Sequence, residues 1–212
     1  MALHAAATPA KPAAFVSEVL GRGDYRIISE MIDDGARVLD LGCGEGALIE
    51  WLEQRKNAQC RGVEISSRKV AKAVAAGLSV YQGDIDGGLA DYPDDAFDYV
   101  ILSQTLQEAR KPRQVLREMM RVGQKAIVAF PNFGHWSFRL SLLWNGRAPK
   151  TKHLPYEWYD SPNIHVVTIP DFEDLAAAEN LKIESSYFLR GDRQVTYRPA
   201  LFADSAVYLL SR

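Results

Sequence analysis

Three glycines at alternate positions, Gly42, Gly44 and Gly46, form the stretch of the sequence best suited to hold a ligand. They follow the short apolar run Arg37–Leu41, which is typical of a strand buried on both faces of a parallel sheet. Glycine lets the chain turn sharply off such a strand and lets a ligand approach without meeting Cβ atoms. The segment that starts at Ala47 is expected to be a helix whose first N–H groups point into the turn. The stretch therefore predicts a cradle for a nucleotide-type ligand.

The spacing of these glycines discriminates between three such ligands. A phosphate-binding P-loop has Lys and then Ser or Thr after its last glycine, but Ala47 and Leu48 follow Gly46. The dinucleotide fingerprint has its third glycine three residues after the second. Here Gly46 comes only two residues after Gly44, so an NAD-dependent oxidoreductase is disfavoured. The carboxylate of Asp40 would repel a pyrophosphate but suits the cationic ammonium group of S-adenosylmethionine, which the pattern favours.

Polar side chains also end the strands predicted further along the chain. Glu64, with Ile65 beside it, comes 20 residues after Gly44, where an acidic side chain can accept hydrogen bonds from ribose hydroxyls. The fourth predicted strand ends at Ser103, which could face the methionine half of the ligand. Taken alone, each of these residues is also typical of a solvated turn. The prediction depends on their occurring in the right order at one edge of one sheet.

The stretch V-L-D-L-G-C-G-E-G, Val38–Gly46, resembles the first motif of class I S-adenosylmethionine-dependent methyltransferases. The resemblance implies a further acidic contact at Asp84, which ends the third predicted strand and would receive the adenine amino group. It also implies that Ile85 packs on the adenine ring. The cofactor is then S-adenosylmethionine or its product S-adenosylhomocysteine. The predicted cofactor-binding residues are Asp40, Gly42, Gly44, Gly46, Glu64, Ile65, Asp84, Ile85 and Ser103.

Longer stretches resemble one family, the methionine biosynthesis protein MetW. They are R-G-D-Y from Arg22, the glycine motif, F-D-Y-V-I-L-S-Q-T-L-Q from Phe97, A-F-P-N-F-G-H-W from Ala129 and L-P-Y-E-W-Y-D-S-P-N-I-H from Leu154. The resemblance implies a class I methyltransferase fold. It also implies a role in methionine biosynthesis as the partner or activator of homoserine O-acyltransferase, which neither periodicity nor spacing indicates.

Alternating strands and helices position these residues. Strands are predicted at 37–41, 59–64, 78–82, 97–103, 125–130, 182–189 and 206–210, with helices between most of them. This order is typical of an α/β fold, here a single doubly wound, Rossmann-like domain with a mostly parallel, seven-stranded sheet. Residues 1–20 are expected to form a flexible tail before the domain at 21–212. Regular periodicity is lost at about 131–170, which is interpreted as an insertion after the fifth strand.

Composition excludes several classes of protein. The chain has 212 residues, 47% of them hydrophobic, and a net charge of −2, which argues against nucleic-acid binding. No apolar run is long enough to cross a membrane, and the N-terminus does not resemble a signal peptide. The two cysteines form no C-x-x-C pair and fit a reducing cytoplasm, so a cytoplasmic location is expected. The histidines show no metal-ligand spacing, and no metal site is predicted.

His135, in the loop after the fifth predicted strand, is the candidate catalytic base for methyl transfer. The alternative is a structural histidine that only hydrogen-bonds the backbone of an irregular loop. Ser103 and the three residues after it depart from the Asn/Asp-Pro-Pro-aromatic motif, which disfavours methylation of exocyclic amines on bases. Two hypotheses remain: a cofactor-binding regulator of the acyltransferase, or a methyltransferase that acts on a small metabolite.

The predicted insertion at 131–170 interleaves cations with aromatic residues, for example Arg139 and Arg147 with Trp144 and Trp158. Arg and aromatic residues dominate the hot spots of protein interfaces. The segment is therefore a candidate protein-contact surface, and the alternative is a lid that folds over the cofactor.

Overall fold

The computed structural model describes residues 22–147, 150 and 156–212, so the predicted tail at 1–20 lies outside the described residues. The helices of this part of the chain are α1 (Gly23–Met31), α2 (Ala47–Lys56), α3 (Ser67–Ala75), α4 (Pro112–Val122), α5 (Trp136–Asn145), α6 (Ile169–Ala178) and α7 (Pro199–Phe202). The strands are β1 (Arg37–Leu41), β2 (Gln59–Glu64), β3 (Val80–Gln82), β4 (Phe97–Ser103), β5 (Gly123–Pro131), β6 (Lys182–Arg190), β7 (Arg193–Gln194) and β8 (Ser205–Ser211). Short 3₁₀ helices lie at Ile85–Gly87 and Leu106–Glu108.

These strands form one sheet in the order β3-β2-β1-β4-β5-β8-β6-β7. Strands β1 to β5 pair in parallel, and β8 runs antiparallel to both β5 and β6. The doubly wound α/β architecture is confirmed. The prediction of seven, mostly parallel strands is wrong in detail, because the sheet is mixed and has eight strands in the described residues.

The additional strand comes from a two-residue hairpin. Strand β7 pairs antiparallel with the end of β6, with Arg190 opposite Arg193. Gly191 in the turn has φ +58°, a conformation that suits tight hairpins and that glycine adopts without strain. In the sequence, Gly191 and Asp192 between two arginines are only a weak signal for a hairpin, because a two-residue strand is too short to show an alternation of apolar and polar residues.

Successive residues of the central strands pack on opposite faces of the sheet. On β4, Tyr99 and Ile101 belong to a core cluster with α1 and α2, whereas Val100 and Leu102 belong to a cluster with α4 and α6. Such a strand reads as a continuous apolar run because helices cover both faces. The buried sheet holds the carboxyl ends of β1 to β4 rigidly side by side, and the predicted ligand-binding residues lie at these ends.

A helix occupies part of the segment predicted to be irregular. Helix α5 begins after His135, whose side chain accepts a hydrogen bond from the Ser137 amide, and it ends at Asn145, before a Gly146 C-cap with φ +59°. None of its residues is fully buried. Periodicity failed to predict it because its half-buried face includes two serines and so gives no continuous apolar stripe.

Candidate functional site

A cleft of about 850 Å³ lies at the carboxyl edge of β1, β2, β3 and β4. Ligand sites of open α/β sheets occur at this edge. Eight of the nine predicted cofactor-binding residues line it, namely Asp40, Gly42, Gly44, Glu64, Ile65, Asp84, Ile85 and Ser103. Gly46 is not among the residues that line the cleft.

The three glycines of the turn after β1 do different things, although all have φ between +61° and +88°. A Cβ on Gly42 would lie 2.6 Å from the Thr105 hydroxyl, and one on Gly46 would lie 2.3 Å from Leu78 Cδ1. These two positions need glycine for packing as well as for conformation. A Cβ on Gly44 would have no atom within 4 Å, apart from its chain neighbours. Gly44 therefore leaves open space in the cleft, as a ligand cradle requires.

Glu64 is a buried carboxylate held by the backbone of the cleft. It is 4% exposed, and its oxygens accept hydrogen bonds from the Gly44 amide at 3.0 Å and the Ser66 amide at 2.8 Å. These bonds fix the side chain between the glycine turn and the start of α3. Each carboxylate oxygen can accept a further hydrogen bond from a hydroxyl in the cleft.

Asp40 lines the same cleft and is 3% exposed. Burial raises the pKa of Asp40 to about 7, the positive charge of Arg22 opposes this shift, and the negative charge of Glu64 adds to it. A cation entering the cleft would favour the ionised carboxylate.

Asp84 takes part in an ionic cluster at the far side of the cleft. Its carboxylate accepts from the Arg110 guanidinium at 2.5 Å and from the Asp86 amide at 3.0 Å. Asp86 in turn accepts from the backbone amides of Arg110 and Lys111. The cluster anchors the loop after β3, and Ile85 lies within it at the cleft wall.

Arg22 is a cleft residue for which glycine spacing and strand-end logic gave no role. Its guanidinium donates to the buried Asp24 carboxylate at 2.6 Å and to the Ser103 hydroxyl at 3.1 Å, while Ser103 donates to Asp24 at 3.1 Å. It also lies 4.1 Å from the centre of the Tyr25 ring. This network brings a cation to the end of β4, beside Asp40. The R-G-D-Y stretch contained the residues, but their distance in sequence from the glycine motif hid the contact.

Lys69 and Glu108 also line the cleft. Partial burial raises the pKa of Glu108, and the negative charge of Glu64 raises it further, while Lys69 lowers it. Within the described residues the Glu108 carboxylate has no hydrogen bond or ion pair, so it is available to a ligand.

The structure does not bring His135 to the cleft. His135 is 8% exposed, its Nδ1 lies 2.8 Å from the Ser137 hydroxyl, and its Nε2 lies 3.5 Å from the Asp204 carboxylate. It begins α5 as a capping residue. Its position gives no support to the predicted role as catalytic base, because a base must reach the acceptor that is to be methylated.

The cysteines are not arranged for chemistry. Cys43 and Cys60 are both buried and free, and burial raises the pKa of Cys60 to about 12 and shifts that of Cys43 in the same direction. Their thiols are therefore protonated near neutral pH and are poor nucleophiles. In the described ranges, no three His, Cys, Asp or Glu side chains group as metal ligands, and no helix is long and apolar enough to cross a membrane.

Comparison with known families identifies the type of protein that has this cleft. A family model described as methionine biosynthesis protein MetW matches residues 22–210. The chain belongs to the MetW family. The MetW match covers both the cleft and the segment around α5. It confirms the family predicted from the sequence.

Relatives and solved structures agree with this assignment. This MetW chain is 34% identical over 209 residues to the bifunctional methionine biosynthesis protein MetXA/MetW of Rhodopirellula baltica, a match that covers 92% of the chain but 34% of the relative. The chain thus spans about a third of that relative's length.

An S-adenosylmethionine-dependent methyltransferase from Mesorhizobium loti is similar with a TM-score of 0.69 and 20% identity, over 92% of this chain and 100% of that chain. The PH0226 protein of Pyrococcus horikoshii is similar with a TM-score of 0.68 and 19% identity, over 95% of this chain and 92% of that chain. At this identity the likeness shows the class I methyltransferase fold alone.

Proposed function

We propose that the chain binds S-adenosylmethionine or S-adenosylhomocysteine in the cleft at the carboxyl edge of β1 to β4. The observation that carries the proposal is the pairing of Gly44 with Glu64. Gly44, with its positive φ, leaves space in the glycine turn. Glu64 presents a buried carboxylate that accepts a hydrogen bond from the Gly44 amide at 3.0 Å. A nucleoside with vicinal hydroxyls fits a carboxylate held in this way.

The other cleft residues suit the remaining parts of the same ligand. In the proposed arrangement, the carboxylate of Asp40 attracts the cationic methionine end, and Arg22 attracts its carboxylate. Asp84, shared with Arg110, is the acceptor for the adenine amino group, and Ile85 supplies an apolar surface for the ring. A charge-assisted hydrogen bond contributes about 1.5–3 kcal/mol, so two or three of them suffice for specific binding.

We further propose that the protein works in the cytoplasm as the partner of a homoserine O-acyltransferase. The support is the relative from Rhodopirellula baltica, in which a region similar to this chain forms one polypeptide with a region named MetXA. S-adenosylmethionine derives from the product of methionine biosynthesis. Occupancy of the cleft would then report the output of the pathway to the partner, provided that the ligand binds free and complexed protein with different affinity.

The ligand is tested by calorimetry on the full chain with S-adenosylmethionine, S-adenosylhomocysteine and NAD. We expect binding of the first two and none of NAD, whereas binding of NAD alone would refute the assignment. The partnership is tested by assaying the purified acyltransferase of the same organism with and without this chain, over a range of cofactor concentrations. An acyltransferase activity that is unchanged at every concentration would refute it.

Methyl transfer to a small metabolite is the second candidate function, and Glu108 favours it. Its carboxylate lines the cleft without an ion-pair partner in the described residues, and its raised pKa brings it closer to that of a useful general base. The test is release of S-adenosylhomocysteine from S-adenosylmethionine with candidate acids, amines and thiols. Turnover that Glu108→Gln abolishes while cofactor binding persists would establish this function, and turnover unaffected by that substitution would exclude Glu108 as the base.

A further inference from the structure

Helix α5 and residues 156–166 carry large apolar side chains that the fold leaves exposed. Leu143, Trp144 and Trp158 are 77%, 73% and 79% exposed. The other apolar side chains at least half exposed, or nearly so, are Leu142, Tyr156, Tyr159, Ile164 and Val166. We call this set the aromatic surface. A soluble domain rarely exposes so many large apolar side chains within two short segments unless they bind something.

Two contacts hold the segments of the aromatic surface next to each other. At its base, the Phe133 amide, three residues before α5, donates to the Val167 carbonyl at 3.0 Å. At its other end, Lys150, which follows α5 by five residues, forms an ion pair with Glu157. The rings of Trp158 and Tyr159 pack edge to face at 5.5 Å, so two of the exposed aromatic side chains contact each other.

The size and charge of the aromatic surface fit a protein partner. Trp144, Trp158 and Tyr159 alone offer about 300–500 Å², roughly half of the ~800 Å² that each side of a standard interface buries. The two segments carry few charged residues, Arg139 on α5 and Glu157 and Asp160 in residues 156–166. A nucleic acid or an anionic membrane would need a strongly positive surface instead.

We propose that the aromatic surface is the docking site for the homoserine O-acyltransferase, an inference that rests on the proposed function. The relative from Rhodopirellula baltica joins the corresponding region and MetXA in one polypeptide, where the local concentration of one for the other is high. The acyltransferase then presents a complementary apolar patch that covers Trp144 and Trp158. Helix α5 packs Phe138 on Phe133 of its own chain but leaves Leu142, Leu143 and Trp144 exposed, and the partner then covers these side chains.

The test measures the affinity of the full chain for the purified acyltransferase of the same organism, by biolayer interferometry. We expect Trp144→Ala and Trp158→Ala each to weaken binding at least about tenfold. Tyr81→Ala, on the edge strand β3, changes a residue that is 59% exposed outside the aromatic surface and should have no effect. Calorimetry with S-adenosylhomocysteine checks that every variant still binds ligand and is therefore folded.

The outcomes separate the two proposals. If the wild-type chain binds the acyltransferase and the tryptophan variants bind equally well, the docking site is wrong while the partnership stands. If the wild-type chain binds S-adenosylhomocysteine but not the acyltransferase, both the docking site and the partnership are wrong. If the wild-type chain forms a dimer that Trp158→Ala dissociates, a second copy covers the surface and the proposal is overturned.

Discussion

Glu64 in the cleft is 4% exposed although it is charged, whereas Trp158 on the aromatic surface is 79% exposed although it is apolar. The cleft holds its carboxylate with two backbone amides, while Trp158 on the aromatic surface packs edge to face on the ring of Tyr159. Burying a charge without such partners is costly, and leaving a large ring in water forgoes its hydrophobic stabilisation. Each region therefore departs from what folding alone would favour.

The two regions differ in the contacts that hold their side chains in place. In the cleft, hydrogen bonds hold the Glu64 carboxylate at the end of β2 and the Ser103 hydroxyl at the end of β4. The aromatic surface adds little stability within the chain. Gln107 connects the two regions. Its side-chain amide donates to the Gln104 backbone carbonyl at 2.8 Å, and its backbone carbonyl accepts from the amides of Ile164 and His165 at 2.9 and 3.0 Å.

The largest effect is expected at Gly46, the most crowded glycine of the turn after β1. In Gly46→Ala, φ of +88° and a Cβ 2.3 Å from Leu78 both oppose folding, so the free energy of unfolding should fall by about 2–4 kcal/mol. Gly35→Ala is the matched control, since Gly35 has φ +75° but nothing within 4 Å of its Cβ, and should cost about 1–2 kcal/mol. Urea unfolding measures both, and equal losses would mean that crowding in the glycine turn does not matter.

Removal of the buried carboxylate tests whether the cleft is organised for a nucleoside. Glu64→Ala should weaken S-adenosylhomocysteine binding about 10- to 100-fold, because it removes a charge-assisted contact and releases the Gly44 amide. Glu30→Ala, an exposed carboxylate on α1, serves as the control and should bind as the wild type does. Unchanged affinity in Glu64→Ala, measured by calorimetry, would remove Glu64 from the site.

The raised pKa of Asp40 predicts a pH dependence of ligand binding. Below about pH 7 Asp40 is largely protonated, so binding the cationic methionine end of either ligand must also ionise the carboxyl group. The affinity for S-adenosylhomocysteine should therefore fall about tenfold from pH 8 to pH 6, and that for S-adenosylmethionine should fall with it, because both ligands carry the same ammonium group. Asp40→Asn should remove this dependence, and a wild-type affinity that stays constant from pH 8 to pH 6 in calorimetry would contradict the prediction.

Gln107 tests the connection between the two regions. Gln107→Ala removes the hydrogen bond to Gln104, a cleft residue held at φ +55°, and should weaken S-adenosylhomocysteine binding about two- to tenfold. The Ile164 and His165 amides should exchange hydrogen faster, because the carbonyl that accepts their bonds is less well held. If ligand binding weakens but hydrogen exchange at the Ile164 and His165 amides does not change, the cleft and the aromatic surface are independent of each other.

The smallest effect is expected on the aromatic surface. Leu143→Ser changes a side chain that is 77% exposed, so the free energy of unfolding should stay within about 0.5 kcal/mol of the wild type. Ligand binding should also be unchanged. A loss of more than about 1 kcal/mol in urea unfolding would mean that α5 is packed within its own chain, and the contrast between the two regions would disappear.

Sequence reasoning reached the cleft because its signals are local. A carboxylate or hydroxyl at a strand end lies at the same edge as its neighbours in any parallel sheet, and so Glu64, Asp84 and Ser103 could be grouped without coordinates. The same reasoning could not distinguish Gly46 from Gly44, because that difference depends on Leu78, a residue that reaches the turn only in the folded chain.

Helix α5 and His135 show the opposite case. Periodicity detects helices that fully bury an apolar face, and α5 only half-buries one, so its residues looked irregular. His135 was placed near the cofactor because it follows β5, yet its ring lies beside Ser137 and Asp204 instead. The direction of a side chain after a strand is set by the loop and not by the strand.

The amino-acid sequence by itself determined the family, the wound α/β sheet and the polar strand ends, because these depend on residue type and on spacing along one chain. Only the tertiary structure decided that Arg22 joins Asp24 and Ser103 beside the cleft, that His135 lies away from it, and that α5 exposes Leu142, Leu143 and Trp144. These facts depend on which distant residues meet, and packing, not local preference, settles that.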